Sequence, residues 1–216
     1  QVPNQTICKN ATFSGVNLTS SIPGATFNWT SSNGTIGLPV SGNGNIGSFT
    51  AKNNTSSAVN STITVVATAN GCFGDPMTFT ITVQPSPTAS ISGTAAVCIG
   101  GPSPQVTFTG GTGTAPYTIA YNINGGMTQT VTTTGNTATV NAPTATAGMY
   151  VYNLTSVTES GNTCSAPANG SVTITVNALP IINAGNDVAV CQNGQITLMA
   201  TGAGTNGTYS WTPAAT

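Results

Sequence analysis

The run Met77-Thr78-Phe79-Thr80-Ile81-Thr82-Val83-Gln84-Pro85 settles the class of fold, because its apolar residues recur at every second position. Met77, Phe79, Ile81 and Val83 fall on one face of an extended strand and Thr78, Thr80 and Thr82 on the other, the pattern of an antiparallel strand with one face in a core. The same ending returns at Ser171-Val172-Thr173-Ile174-Thr175-Val176-Asn177, with Leu179-Pro180 close behind. Two endings of one kind make the chain a tandem repeat.

The beginnings repeat as well: Thr6-Ile7-Cys8-Lys9-Asn10, Ala96-Val97-Cys98-Ile99-Gly100 and Ala189-Val190-Cys191-Gln192-Asn193. Their cysteines are offset by 98 − 8 = 90 and 191 − 98 = 93 residues, the length of one immunoglobulin-like module. The predicted organisation is a first β-sandwich over 1–85, a second over 86–177, and over 178–216 the N-terminal part of a third, truncated repeat. Pro85, Pro87 and Pro180 follow the closing strands, where fixed φ and a missing N–H predict short, stiff, extended joints that space the modules apart.

Inside the second module Tyr117, Ile119, Tyr121 and Ile123 alternate in the same way. Turns at Asn124-Gly125-Gly126 and Gly135-Asn136 on either side of Met127–Thr134 predict a β-meander. No segment of helical length carries a 3.6-residue period, and 26 Gly with 13 Pro punctuate the chain at strand-length intervals. The expected fold is all-β, built of immunoglobulin-like sandwiches.

Charge is nearly absent: Lys9, Lys52, Asp75, Glu159 and Asp187 make up 2% of the 216 residues, against about 25% in ordinary domains. Binding to nucleic acid or to anionic lipid needs clustered Lys or Arg, so both partners are excluded. At 38% hydrophobic residues and net charge −1 the composition is not that of a disordered chain. Uncharged Thr, Ser, Asn and Gln must hydrate the outward strand faces, which leaves a surface nearly indifferent to pH and salt. No stretch approaches the roughly 20 apolar residues of a membrane span, and the N-terminal residues lack the pattern of a signal peptide, so direct membrane insertion is not expected.

Within a module the cysteines recur at 72 − 8 = 64 and 164 − 98 = 66 residues. That matched spacing predicts disulfides Cys8–Cys72 and Cys98–Cys164, with Cys191 left unpaired within the chain. Each would close a loop worth roughly 4 kcal/mol in the chain-entropy picture, and stable disulfides imply an oxidising compartment. Zinc is the rival explanation, but the chain has no His and its nearest cysteines are 98 − 72 = 26 residues apart.

Catalytic chemistry lacks its parts. General acid–base work needs paired titratable groups, whereas Asp75, Glu159 and Asp187 fall one to a module. A Ser or Cys nucleophile needs a base; there is no His, and both lysines belong to the first module. The chain is therefore expected not to be an enzyme and to hold no cofactor and no metal. Asn183-Ala184-Gly185-Asn186-Asp187, the one faint calcium candidate, reads as a polar turn. Trp29 and Trp211, 29 − 8 = 21 and 211 − 191 = 20 residues past their cysteines, could each stack on a sugar, but their equivalent positions favour core packing. Sequons such as Asn28-Trp29-Thr30 and Asn153-Leu154-Thr155 follow from the abundance of Asn and Thr.

With these residues in view, the chain resembles the PKD-like and immunoglobulin-like tandem repeats of giant secreted cell-surface adhesins, of the gliding-motility-associated type, in Bacteroidetes bacteria. The likeness rests on Phe27-Asn28-Trp29-Thr30, Ser41-Gly42-Asn43-Gly44-Asn45-Ile46-Gly47-Ser48-Phe49 and Ile63-Thr64-Val65-Val66-Ala67-Thr68-Ala69-Asn70-Gly71-Cys72. It continues through Gly113-Thr114-Ala115-Pro116-Tyr117-Thr118, Asn183-Ala184-Gly185-Asn186-Asp187 and Tyr209-Ser210-Trp211-Thr212-Pro213. The resemblance implies type IX secretion, display on the bacterial cell surface and a stalk or fibre role, with neighbouring repeats of the same chain as partners. Further copies in a fibre and extracellular polysaccharide are the other partners it admits. The competing expectation is a set of polysaccharide-binding modules in an adhesin or a secreted glycan-degrading enzyme; fold alone does not choose between them.

Overall fold

The computed structural model describes residues 1–162, 164–204 and 207–211. Its strands run in chain order as β1 (Gln5–Cys8), β2 (Thr12–Phe13), β3 (Thr26–Ser31), β4 (Ser41–Asn43), β5 (Phe49–Thr50), β6 (Val59–Ala69), β7 (Cys72–Phe73) and β8 (Met77–Gln84). They continue as β9 (Thr88–Ser92), β10 (Ala95–Cys98), β11 (Gln105–Gly111), β12 (Tyr117–Ile123), β13 (Gln129–Thr132), β14 (Thr137–Asn141), β15 (Gly148–Glu159), β16 (Ser165–Pro167) and β17 (Ser171–Asn177). No α-helix is present among the described residues.

The first module lays a large sheet, in the order β1-β8-β6-β3-β4 with β7 on β6, over the small pair β2-β5. The second repeats the plan as β10-β17-β15-β12-β13, with β16 on β15, over the sheet β14-β11-β9. In both, the opening strand of the large sheet pairs parallel to the closing one while its other neighbours are antiparallel. This is the all-β, immunoglobulin-like sandwich expected from the alternating runs.

Each module buries its own core. Phe13, Trp29, Ile63, Phe79, Ile81 and Val83 fill the first, and the apolar face of Met77–Val83 is its floor. Val106, Phe108, Tyr117, Ile119, Tyr121 and Tyr152 fill the second, with the Phe108 and Tyr121 ring centroids 4.7 Å apart. Several buried polar side chains pair through hydroxyls and amides, while Trp29 Nε1, Thr68 Oγ1 and Glu159 Oε2 have no hydrogen-bond partner among the described residues. Ser31 and Ser61 share a hydrogen bond of 2.7 Å, and Asn53 donates to the Val83 and Ser57 carbonyls at 2.8 Å each.

Two expectations about strand connection change. The turn at Gly135-Asn136 does not continue a meander: β13 stays on β12, whereas β14 crosses to the other sheet and pairs with β11. That crossing places the alternate residues Ala138 and Val140 opposite Phe108 and Val106, on the core side of the smaller sheet. The prolines after β8 do not hold the modules apart either, since Pro85 and Pro87 are both buried. Over residues 178–211 the described structure consists of the bridge Asn183–Thr201 and turns, without a named strand.

Gly93 lets one strand serve both sheets of the second module. Between β9 and β10 the chain leaves one layer for the other, with Gly93 at φ +118°, where an added Cβ would lie 2.4 Å from the Gln105 carbonyl oxygen. Gly125 also has positive φ, +72°, but opens on empty space. Gly93→Ala should therefore destabilise the second module by about 3 kcal/mol or more, strain and overlap adding. Gly125→Ala should cost only about 1 kcal/mol. Urea midpoints followed by tyrosine absorbance would measure both, and equal shifts would refute the assignment.

Candidate functional site at the module joint

The parallel pairing gives every module two chemically distinct ends. At the trailing pole the closing strand ends beside the end of the opening strand: Cys8 is in register with Gln84, and Cys98 with Asn177. At the leading pole the closing strand begins, and the hairpins after β6 and β15 turn there. Cys72 sits in the first hairpin and Cys164 in the second.

The cysteines of one module are therefore at opposite ends. Eight residues of β8 lie between the register positions of Cys8 and Cys72, a separation of roughly 25 Å or more at about 3.3 Å per residue. A disulfide needs Cα atoms within about 7 Å, so the predicted pairs Cys8–Cys72 and Cys98–Cys164 do not form. The bond that forms is Cys8–Cys164, with Cα atoms 5.5 Å apart and a sequence separation of 156. It crosses from the trailing pole of the first module to the leading pole of the second. Cys72, Cys98 and Cys191 carry free, exposed thiols.

Each sulfur of this bond is held in place by its own module. The Lys9 amide donates to the Gln84 carbonyl at 2.9 Å, fixing the turn that follows Cys8. On the other side the Glu159 amide donates to the Cys164 carbonyl at 2.9 Å, closing the hairpin that presents the second sulfur. The side chain of Glu159 is buried beneath the Thr112–Pro116 loop, where its Oε1 accepts from the Thr114 amide. An added Cβ at Gly113 would strike that same oxygen, which is why the loop carries glycine there. Burial raises the Tyr117 phenol above its ordinary value of 10.0, and the nearby Glu159 carboxylate raises it further. Burial raises Tyr121 too, and raises Tyr152 with added contributions from Tyr121 and Tyr150.

The same turn follows Cys8, Cys98 and Cys191. Ala11, Gly101 and Gly194 donate their amides to the carbonyls of Cys8, Cys98 and Cys191 at 3.1, 3.0 and 2.8 Å. The third residue of each turn has positive φ, at Asn10 (67°), Gly100 (75°) and Asn193 (66°). Only Gly or Asn adopts that conformation readily, which explains their recurrence two positions after the cysteine.

The other sequence candidates separate. Trp29 is 6% exposed and packed in the first core, with its ring against Gly42, so it has no face for a sugar. Trp211 is 49% exposed and shares a shallow cleft with Tyr209, Ile182 and Ala200. In the calcium candidate, Asn183 Oδ1 accepts from the Gly185 amide at 2.8 Å, a side-chain-capped turn. Among the described residues no three of His, Cys, Asp and Glu gather at one place, and no helix is long and apolar enough to cross a membrane.

Residues 5–87 match the PKD-like domain family. Among solved structures the chain is similar to titin domains I67–I69, at 11% identity over 83% of this chain and 64% of that one, TM-score 0.49. It is similar to the fibronectin(III)-like modules of Clostridium thermocellum CbhA, at 11% identity over 82% and 91%, TM-score 0.37. It is also similar to the N-terminal four immunoglobulin domains of a Dscam1 isoform, at 15% identity over 81% and 44%, TM-score 0.33. The chain thus spans under two thirds of the titin and Dscam1 chains. No curated protein matches it.

Peptide mapping without reduction should recover the Cys8 and Cys164 peptides as one cross-linked species, with Cys72 and Cys98 alkylated as free thiols. A Cys8–Cys72 species would rule out a bridge across the joint. A second expectation concerns alkali. The raised phenols hold their protons more tightly folded than unfolded, so the stability they contribute is complete below about pH 10 and lost as pH rises through the raised values. The first module contains no tyrosine. In an alkaline titration, near-ultraviolet tyrosine signals should therefore report loss of the second module while Trp29 fluorescence still reports a folded first; simultaneous loss would contradict this.

Proposed function

We propose that this chain is a non-catalytic spacer: immunoglobulin-like modules joined end to end in the stalk or fibre of an exported cell-surface adhesin. The observation that carries this reading is the Cys8–Cys164 bond across the joint. A disulfide is made and kept in an oxidising compartment, which supports an extracellular setting. Placed between modules rather than inside one, it adds little to either core and instead fixes how one bead follows the next. Pro85 and Pro87, buried in the joint, reinforce that alignment. Acidic residues that fall one to a module, with no His to serve as a base, leave such a spacer without acid–base machinery. The resemblance of the repeats to Bacteroidetes gliding-motility adhesins supports display on a bacterial surface after type IX export.

Small-angle scattering tests the spacer role. The oxidised chain should give one sharply defined maximum dimension, and Cys8→Ser should give a broader distance distribution with both modules still folded. Identical curves for the two proteins would remove the reason to regard the joint as a stiffened spacer.

The polysaccharide-binding reading is favoured by one observation, the exposed aromatic pair Tyr209 and Trp211. Glycan-array binding that is lost in Trp211→Ala would replace the spacer reading with that one. Trp29→Ala is not informative, because it empties the core.

A further inference from the structure

Asparagine followed by glycine is prone to intramolecular deamidation, because a glycine nitrogen with no Cβ beside it can reach the side-chain carbonyl carbon of the residue before it. In a folded chain hydrogen bonds govern that reach: the asparagine amide must be able to turn, and the glycine N–H must be free of a partner. Seven such pairs occur, beginning at Asn33, Asn43, Asn70, Asn124, Asn169, Asn193 and Asn206. Asn206 lies outside the described residues, and the other six fall into two groups.

Four pairs are held. Asn33 caps the short 3₁₀ turn Gly34–Ile36, its Oδ1 accepting from the Thr35 amide at 3.0 Å and its Nδ2 donating to the Asn60 carbonyl at 3.4 Å. Asn124 is gripped at both ends: its Nδ2 donates to the Met149 carbonyl at 3.0 Å and its Oδ1 accepts from the Val151 amide at 2.8 Å. At Asn43 and Asn193 the glycine is the held partner, Gly44 donating to the Phe27 carbonyl and Gly194 to the Cys191 carbonyl, each at 2.8 Å. Asn70 and Asn169 differ. Both are exposed, and neither their side-chain amides nor the Gly71 and Gly170 N–H groups have a hydrogen-bond partner among the described residues. Asn70 and Gly71 form the turn between β6 and β7, an arm of only two residue pairs, and Asn169 and Gly170 form the link between β16 and β17.

We propose that Asn70 and Asn169 are modification sites, where intramolecular deamidation turns a neutral amide into a carboxylate. The Gly71 or Gly170 nitrogen attacks the asparagine Cγ and forms an N–Cγ bond; the Cγ–Nδ2 bond breaks, and the glycine nitrogen's proton departs with ammonia. Water then opens the resulting five-membered succinimide at either carbonyl, breaking one C–N bond and returning a proton to the nitrogen. Opening at the side-chain carbonyl leaves an aspartate in a normal backbone, and opening at the main-chain carbonyl leaves an isoaspartate with one extra methylene in the chain. One water is consumed and one ammonia released, with nothing oxidised or reduced. In a chain of formal net charge −1, the first conversion doubles that charge. At Asn169 the extra methylene falls just before β17, the closing strand of the second module, whose first residue Ser171 is in register with Asn153.

The whole oxidised chain, held in mildly alkaline buffer and sampled over time, is digested with pepsin in acid, where deamidation stops, so that mass spectrometry reads each pair separately. Asn70 and Asn169 should convert on the order of tenfold faster than Asn33, Asn43, Asn124 and Asn193, the rate factor that one ordinary hydrogen bond supplies. In the same chain reduced and unfolded in guanidinium, the six should convert at similar rates, because only the fold separates them. Isoelectric focusing of aged protein should show a ladder of acidic bands whose first two steps disappear in the double variant Asn70→Ser, Asn169→Ser. Six pairs converting alike in the folded chain, or any of the four held pairs leading, would overturn the proposal, and either free pair converting as slowly as the held ones strikes that site. The spacer reading is tested separately, by the Cys8–Cys164 bond and the shape of the chain, and stands or falls without these rates.

Discussion

Parallel pairing of a module's first strand with its last is the constraint from which the joint follows. Because β1 runs alongside the end of β8, its terminal cysteine is delivered to the pole from which the chain leaves the module. Because β6 runs antiparallel to β8, the hairpin after it is delivered to the opposite pole. Repetition of this arrangement in β10, β15 and β17 sets the second module's hairpin against the first module's exit. Oxidation at the joint is thus a consequence of strand order, and the loops need only hold the sulfurs in reach.

A chain with so few charges must specify its fold with neutral groups. The threonine faces of the closing strands hydrate without titrating, and the buried hydroxyl and amide pairs at Ser31–Ser61 and Asn53 do what ion pairs do elsewhere. The one buried carboxylate, Glu159, sits beside the hairpin that carries Cys164, where it anchors the Thr112–Pro116 loop. That position couples the joint to the second core through Tyr117, whose phenol lies close enough to feel the carboxylate.

Alternation made the strands legible because each buries one face: Met77–Val83 and Tyr117–Ile123 alternate in burial as they do in hydrophobicity. The disulfide was not legible from spacing. Recurrence at 64 and 66 residues reports that cysteines occupy equivalent places in two modules, and it is satisfied equally by pairing within a module and by pairing to the next. A signal did exist in the turn Asn70-Gly71, which places Cys72 beyond the end of a long strand and so at the far pole from Cys8. Trp29 and Trp211 show the same limit, since similar offsets from a cysteine suggest an equivalent place in the sequence of a repeat, whereas burial depends on the sheet that packs around it. The crossing of β14 to the smaller sheet was hidden because a tight turn looks alike whether the next strand stays or leaves.

The Cys8–Cys164 bond also turns most of the two modules into a covalent ring. A pull applied to the two chain ends passes through residues 1–8, across the sulfur bridge, and out from residue 164, bypassing everything between. The 156 residue steps from Cys8 to Cys164 would span on the order of 500 Å if drawn out, and that contour length is withheld while the bridge stands. Extensibility of the tether is then set by the redox poise around it: short and inextensible when oxidised, able to pay out hidden slack when reduced.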